Sequence, residues 1–471
     1  MTQDLTALFN LQRDAFLKDG YPDYKTRLDR LDRMASMLID HKQQITDALN
    51  EDFAGRPYLH SLIADVVSLL IEIKDTRKHL KQWMQPERRK AGFPMGLLGA
   101  KAEVQFQPLG VVGNISPWNF PVALALSPTI GAIAAGNRVM IKPSELTPNT
   151  SNIIAEMIAK NFAPEELAVV TGGVEVAQSF SHLPFDHLVF TGGASVAKQV
   201  MKAAAENLVP LTLELGGKCP VIVSDTADMA MVAERVMAVK VINSGQLCLT
   251  PDYVFVPAGR EEEFLTEARK VMSKFMSSML DNEQITSIIN TRHWHRLQAY
   301  LDEAKQKDVR IEVFNPANED FSDPERHRMA MHFPINPDES CQLMQDEIFG
   351  PIMSIKGYNS IPEAIHYINN KPRPLALYYF GSNNKELEDI TKNTTSGGVS
   401  INDVAAHFSC HDLPLSGVGN SGMGAYHGRD GFLQFSHKKA VFKQGVISLG
   451  KLAHLPHTPS KVKMFEKMLK R

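Results

Sequence analysis

Residues 110–142 read GVVGNISPWNFPVALALSPTIGAIAAGNRVMIK, and the fold is decided here. A short apolar run, Gly110 to Ile115, is followed by a segment of helix length and then by a second short run, Val139 to Ile141. Outward from this stretch, Leu167 to Val170 and His187 to Phe190 repeat the pattern, with about a dozen residues of helical character between runs. That alternation is βαβ rhythm, and it predicts a parallel sheet covered by helices. Val122 to Ala135 is the longest apolar run, but it contains Pro128 and falls short of the roughly 18 residues a bilayer span requires.

Upstream, Leu28, Leu31, Met34 and Leu38 recur at three- and four-residue steps, as do Leu62, Val66, Leu69 and Ile73, so this region reads as amphipathic helices. Pro94 and Gly96 to Gly99 close it, and Glu103 to Gln107 alternates as a short extended segment. Downstream, strands are expected at Asp252 to Val256, Ile352 to Ile355 and Leu377 to Phe380. Helices are expected around Ala227 to Ile242 and Pro362 to Asn369, which together make a second α/β unit. The tail after Gly445 is basic, with Lys451, Lys461, Lys463, Lys467, Lys470 and Arg471 against Glu466. It reads as a solvated or subunit-contacting end, with docking on a membrane surface as the other reading.

A chain of 471 residues exceeds one ordinary core, so two or three domains are expected. With 50 basic and 53 acidic residues the net charge is only -3, which gives no field to recruit nucleic acid or an anionic membrane. Cys219, Cys248, Cys341 and Cys410 lie far apart, with no CxxC pair and no Cys/His spacing typical of zinc. Free thiols, a reducing cytoplasmic setting and no metal are the expectation.

Five motifs carry candidate chemistry, and each has a plainer reading beside it. Cys248 ends Asn-Ser-Gly-Gln-Leu-Cys, a turn-forming stretch after a helix whose free amides suit an anion and would activate a thiol. Taken alone, such a cysteine is more often simple packing. Glu214 lies at a strand end before Gly216 and Gly217, either as a base or paired with Lys218. Asn119, held between Pro117 and Pro121, offers a rigid amide NH₂ to a developing oxyanion, or else bonds its own turn. Phe-Thr-Gly-Gly from Phe190 follows a strand and opens a helix, so its amides suit a pyrophosphate, although two glycines there often serve packing alone. Lys142 and Glu145 stand at the C-terminal edge of the sheet, where a lysine and an acid suit ribose hydroxyls or phosphate, or form a surface pair.

Their joint order is more specific: Pro-Trp-Asn-Phe-Pro, Lys-Pro-Ser-Glu, Phe-Thr-Gly-Gly, Leu-Glu-Leu-Gly-Gly-Lys, Gly-Gln-Leu-Cys, then Glu-Ile-Phe-Gly-Pro at Glu347 to Pro351. This order resembles the aldehyde dehydrogenase superfamily from about Asp23 to about Lys443. Asn402-Asp403-Val404 and the run Gly417 to Gly428, followed by Phe435-Ser436-His437, resemble its class 3 branch. Pro184 to His187, Ala203 to Leu208, Pro251 to Tyr253 and Arg373 to Tyr379 are similar to the bacterial coniferyl aldehyde dehydrogenases.

The resemblance implies an α/β fold with a doubly wound Rossmann-like cofactor domain (1–93 and 109–216, with 418–436 packing back on it). It also implies a second α/β catalytic domain (217–417), bridging and oligomerisation strands (94–108 and 437–445) and the basic tail (446–471). It makes Cys248 the nucleophile, Glu214 the general base and Asn119 the oxyanion donor. Ile115, Trp118, Lys142, Glu145, Gly192, Glu347 and Phe349 would contact NAD(P), with NAD preferred over NADP because Glu145 would repel a 2′-phosphate. A homodimer and an aromatic or other hydrophobic aldehyde substrate are implied as well. Departures from the usual pattern are Ala197 for a second glycine in the turn, Cys219 for a serine, Leu415-Ser416 for Phe-Gly and the pair His407-Phe408. The last two are expected to shape the aldehyde pocket. Alternatives from other classes are a thiol esterase or acyl transferase, a coenzyme-A-acylating enzyme, and a non-enzymatic protein. Glu214 favours water as acyl acceptor, and the presence of Cys248, Glu214 and Asn119 together argues against the last.

Overall fold

In the computed structural model, which describes residues 4–469, the strands gather into three principal sheets. Met1 to Gln3, together with Lys470 and Arg471 of the basic tail, lie outside the described residues.

The largest sheet has six strands in the order Gly422–Met423, Leu211–Leu215, His187–Gly192, Val111–Ile115, Arg138–Lys142 and Leu167–Val169. Only the pairing of Gly422–Met423 with Leu211–Leu215 is antiparallel. Alternate residues of these strands serve two cores. Val112, Val139, Ile141 and Val189 pack with the helices Tyr24–Asp40, Ser68–Trp83 and Pro121–Ala135. Val111, Met140, Leu188 and Phe190 pack on the other face with Leu5–Asp19, Val174–Ser181 and Ala194–Glu206. Both faces are thus covered, as parallel strands of β-branched residues require. The chain winds outward from Val111–Ile115 in one direction, then returns to His187–Gly192 on the other side. A crevice therefore opens at the C-terminal ends of these two strands, where ligands bind in doubly wound sheets.

The second sheet is fully parallel, in the order Ser354–Tyr358, Pro251–Pro257, Cys219–Val223, Ala376–Phe380 and Gly398–Ile401. Met229–Lys240 and Glu261–Phe275 cover one face, while Ile361–Asn369 and Asn384–Asn393 cover the other. The strand Leu211–Leu215 leads through Gly216, Gly217 and Lys218 directly into Cys219–Val223. The C-terminal edge of the first sheet therefore meets the N-terminal edge of the second.

The third sheet is an antiparallel arm of Glu87–Arg89, Lys101–Pro108 and Ser436–Lys443. Glu103 pairs with Val441, so the two segments expected to form an arm do associate, and Glu87–Arg89 adds a short strand the pattern did not suggest. The tail forms a short turn of helix at Leu449–Ala453 and an exposed helix at Pro459–Met468. Among the described residues no helix is long and apolar enough to cross a membrane.

The stripe Leu62, Val66, Leu69, Ile73 is helical, but it contains one wide π turn at Ile63–Val67. Asp65 lies in that turn, fully buried, where it accepts from the Val122 and Ala123 amides at the start of Pro121–Ala135 and from Arg56 at 2.7 Å. Widened helical turns often mark positions where one side chain has a task outside the helix.

Candidate active site

Cys248 lies between a tight turn at Ile242–Gly245 and the strand Pro251–Pro257, at the N-terminal edge of the second sheet. Asn243, Ser244 and Gly245 all adopt left-handed backbone, with φ of 51°, 53° and 74°. Gly245 is also required by space, since a Cβ there would lie 2.4 Å from the Gly350 carbonyl oxygen. This close approach locks the Cys248 loop to the segment carrying Glu347 and Phe349.

Gln246 holds the loop from inside. Its Nε2 donates to the carbonyls of Asn243 at 2.8 Å and Ser287 at 2.9 Å, and its Oε1 accepts from the Ile289 amide at 2.9 Å. Asn119 reaches the same loop: its Nδ2 donates to the Gln246 carbonyl at 3.2 Å. Its own carbonyl accepts from Arg56 at 3.0 Å and Asn243 at 3.1 Å. The reading of Asn119 as an amide bonded to its own turn is therefore incorrect. Its side chain crosses to the cysteine loop because Arg56 and Asn243 already occupy its carbonyl.

Glu214 is buried on Leu211–Leu215, opposite Thr191 and Gly422, and its Oε1 has no hydrogen-bond partner. The pairing of Glu214 with Lys218 does not occur. Lys218 forms an ion pair with Asp252 and donates to the carbonyls of Leu343 at 2.7 Å and Asp346 at 2.9 Å. Asp252 in turn accepts from the Ile348 amide at 2.9 Å, while Arg296 holds the Ile348 and Phe349 carbonyls. Both sides of the Glu347 segment are thereby fixed. The Glu347 carboxylate lies on Gly216, where a Cβ would stand 1.8 Å from its Oε2. Phe349, at a left-handed φ of 49°, meets the Trp118 ring edge-on with centroids 5.4 Å apart.

Cys248, Glu214 and Glu347 lie close enough for both carboxyls to raise the thiol. Burial is the larger cause, and although the amides of Cys248 and Leu249 oppose it, the thiol is pushed up to about 12. Desolvation and the two acids thus outweigh the amides, so the turn does not by itself lower the thiol. Burial also raises Glu214 well above the carboxylate range, and burial reinforced by Asp252 pushes Glu347 up to about 8. Cys219 sits behind Cys248, its thiol 3.4 Å from the Cys248 carbonyl.

The remaining expected residues line the C-terminal edge of the six-stranded sheet. Ile115 ends its strand, in register with Lys142 and Phe190. Lys142 is only 1% exposed against 40% for Glu145, so the surface-pair reading fits just half of it. Lys142 donates to the Pro143 carbonyl at 2.8 Å and lies 3.5 Å from Glu145. Gly192 packs on the Phe190 ring, whereas Gly193 faces open space ahead of the helix Ala194–Glu206, which has no side-chain cap. These free amides, with the orphaned Thr191 hydroxyl and Glu347 Oε1, fit a dinucleotide. Sequence reasoning missed Gln246, Asn243, the Arg56–Asp65 pair and the Lys218–Asp252 pair. Only Gln246 carried a signal, its place two residues before the cysteine.

Residues 9–441 match the Aldehyde dehydrogenase family. A Caulobacter vibrioides protein named "Probable coniferyl aldehyde dehydrogenase" is 50% identical over 434 residues, covering 92% of this chain and 90% of that protein. The coniferyl aldehyde dehydrogenase of Pseudomonas sp. (strain HR199 / DSM 7063) is 48% identical over 451 residues, covering 96% and 93%. A solved structure, "Substrate bound state of Staphylococcus Aureus AldH", is similar with a TM-score of 0.92 at 33% identity, covering 99% of this chain and 100% of that one. Membership on this scale supports a nicotinamide cofactor. Matched along nearly its whole length, the chain belongs to the aldehyde dehydrogenase family and is an enzyme that oxidises aldehydes.

Proposed function

We propose that the chain converts a hydrophobic aldehyde, aromatic ones such as coniferyl aldehyde foremost, to the carboxylic acid through a thioester on Cys248. The observation that carries this reading is the convergence of a thiol, an unpartnered buried carboxyl and a tethered amide from three remote segments. After its thiol proton is released to water, the sulfur of Cys248 adds to the carbonyl carbon, and the carbonyl oxygen becomes an oxyanion. The Asn119 amide and the Cys248 backbone N–H stabilise that charge, and loss of one such donor typically costs about 3 kcal/mol. When bound, a cationic nicotinamide supplies the hydride acceptor that leaves a thioester, and a positive charge that favours thiolate and carboxylate. Glu214 then takes a proton from water, which attacks the thioester, releases the acid and restores the thiol.

Lys142 and Glu145 would hold the adenosine ribose, the Gly192 turn the pyrophosphate, and Ile115, Trp118, Glu347 and Phe349 the nicotinamide end. Residues 1–93 and 109–216, with 418–436, form the cofactor unit in this reading, and 217–417 the catalytic unit. The exposed edge strand Ser436–Lys443 suits pairing with a second subunit, so a homodimer is proposed, to be measured by sedimentation velocity. Four unpaired cysteines suit a reducing compartment, and the cytoplasm is proposed.

The test is pre-steady-state oxidation of aromatic, short aliphatic and long aliphatic aldehydes, with and without coenzyme A. Cys248→Ala should abolish oxidation while cofactor binding persists. Glu214→Gln should keep a burst of reduced cofactor and slow the steady rate. Turnover by Cys248→Ala sinks the nucleophile assignment. Loss of the burst in a folded, cofactor-binding Glu214→Gln protein moves Glu214 to an earlier step.

A further inference from the structure

We propose that Glu72, His411 and His427 form a binding site for one divalent transition-metal ion of the zinc class, beside the reaction centre and distinct from its thiol. Among the described residues this is the one group of His, Cys, Asp and Glu whose ligand atoms converge, all within 4.8 Å of one another. The three come from separate elements: Glu72 from the helix Ser68–Trp83, His411 from the loop after Ala406–Ser409, and His427 from the turn preceding Gly428–Gln434. Spacing alone does not suggest a metal, because Glu72 is remote in sequence from both histidines.

The backbone is built to bring the imidazoles together. His427 has φ of 89°, and a Cβ on the next residue, Gly428, would lie 2.2 Å from the His411 carbonyl oxygen. Only glycine permits that approach, which sets the two rings edge to face with centroids 5.5 Å apart. Phe408 and Tyr426 flank His427 at 5.2 Å each, forming an apolar wall.

The second, independent observation is unmet bonding capacity. Glu72 is 3% and His427 4% exposed, yet Nδ1 of both His411 and His427 is closed to solvent and has no hydrogen-bond partner. A buried polar atom left unpaired is destabilising, and an ion would relieve two such atoms at once.

Two imidazole nitrogens and one carboxylate oxygen suit Zn²⁺, Co²⁺ or Ni²⁺ better than Mg²⁺ or Ca²⁺. Bonds of about 2.0–2.1 Å place tetrahedral ligand atoms about 3.3 Å apart, so the cluster must draw inward. His411, half-buried on a loop, is the member free to do so. Three protein ligands leave one position open. Tyr426, whose buried hydroxyl is also unpartnered, lies within electrostatic reach of Glu72, Glu214 and Cys248, so the ion would border the catalytic groups.

The experiment uses the full chain in a Cys248→Ala, Cys410→Ala background, which removes the accessible thiols as competing ligands. Co²⁺ is titrated while visible d–d absorption is recorded, and Zn²⁺ affinity is measured by competition with a chromogenic chelator. One ion per chain is expected, with at least a tenfold loss of affinity in His411→Ala and in Glu72→Gln and unchanged circular dichroism. His411→Ala alters a half-buried loop residue, so folding does not limit the test. No d–d absorption with Co²⁺ in excess, or equal affinity in the His411→Ala protein, overturns the site. Activity is not the readout, so failure here is distinguishable from failure of the catalytic assignment.

Discussion

Replacing Gln246 by leucine isolates the device that positions the proposed nucleophile, because Gln246 holds the Cys248 loop from inside. The side chain is fully buried and makes three hydrogen bonds. Leucine removes all three at similar volume. The Asn243 carbonyl keeps a partner in the Gln246 amide at 3.1 Å, so two groups are orphaned, the Ile289 N–H and the Ser287 carbonyl. At about 1–3 kcal/mol for each buried unpaired group, the substitution should cost about 2–6 kcal/mol. The same strain bears on geometry, since the Asn119 amide is anchored on the Gln246 carbonyl, and a displacement of about 1 Å at a reacting group can cost about 10²-fold in rate. Thermal unfolding read by circular dichroism should show a fall of about 2–6 °C. Stopped-flow measurement of the burst should show it slowed at least about tenfold. Gln246→Glu keeps an acceptor for Ile289 and, when protonated, one donor, so it should lie between and improve as the pH falls. An unshifted melting curve together with a normal burst in the leucine protein would refute the argument.

Two further outcomes follow. With the Cys248 thiol at about 12, thiolate rises about tenfold per pH unit below that value, so iodoacetamide labelling of the cofactor-free enzyme should climb throughout pH 7–10. Added NAD should speed labelling at neutral pH, and a plateau near about 8.5 without cofactor would show an ordinary thiol instead. Glu145 should make kcat/KM higher with NAD than with NADP, and Glu145→Gln should narrow the ratio. Equal values for both cofactors in the native enzyme would remove Glu145 from that role.

What was legible in the sequence is what burial writes locally. Val111, Val112 and the other short β-branched runs announce strands because both faces of a parallel sheet are apolar. Cys248, Glu214 and Asn119 stand out because their neighbours, glycines and prolines, shape turns. The partners were not legible. Asn119 is bonded to a residue 127 positions away, and Lys218 to one 34 away, so adjacency in sequence pointed Lys218 at the wrong acid. The π turn was hidden because an apolar stripe survives one widened turn, while its cause, Asp65, is explained only by amides 57 and 58 residues downstream. His411 and His427 likewise meet through a backbone contact at Gly428 that no spacing rule encodes.

The position of the site explains its resting chemistry. Glu214 ends a strand of the first sheet, whereas Cys248 and Glu347 precede strands of the second, so the three acids meet where two sheet edges face each other. Three negative charges gathered there away from water would repel one another strongly, and each would forfeit its hydration. Burial favours the neutral form of each: it pushes the thiol up to about 12, Glu347 up to about 8 and Glu214 well above its usual range. Lys218, the nearest lysine in sequence to Glu214, supplies no counterion and instead clamps Asp252 and the Glu347 segment. In the proposed mechanism, reactivity then depends on a positive charge arriving with the cofactor, which would tie formation of the nucleophile to the presence of the oxidant. A thiol kept protonated until that moment is also protected from oxidation and alkylation, because both proceed through the thiolate.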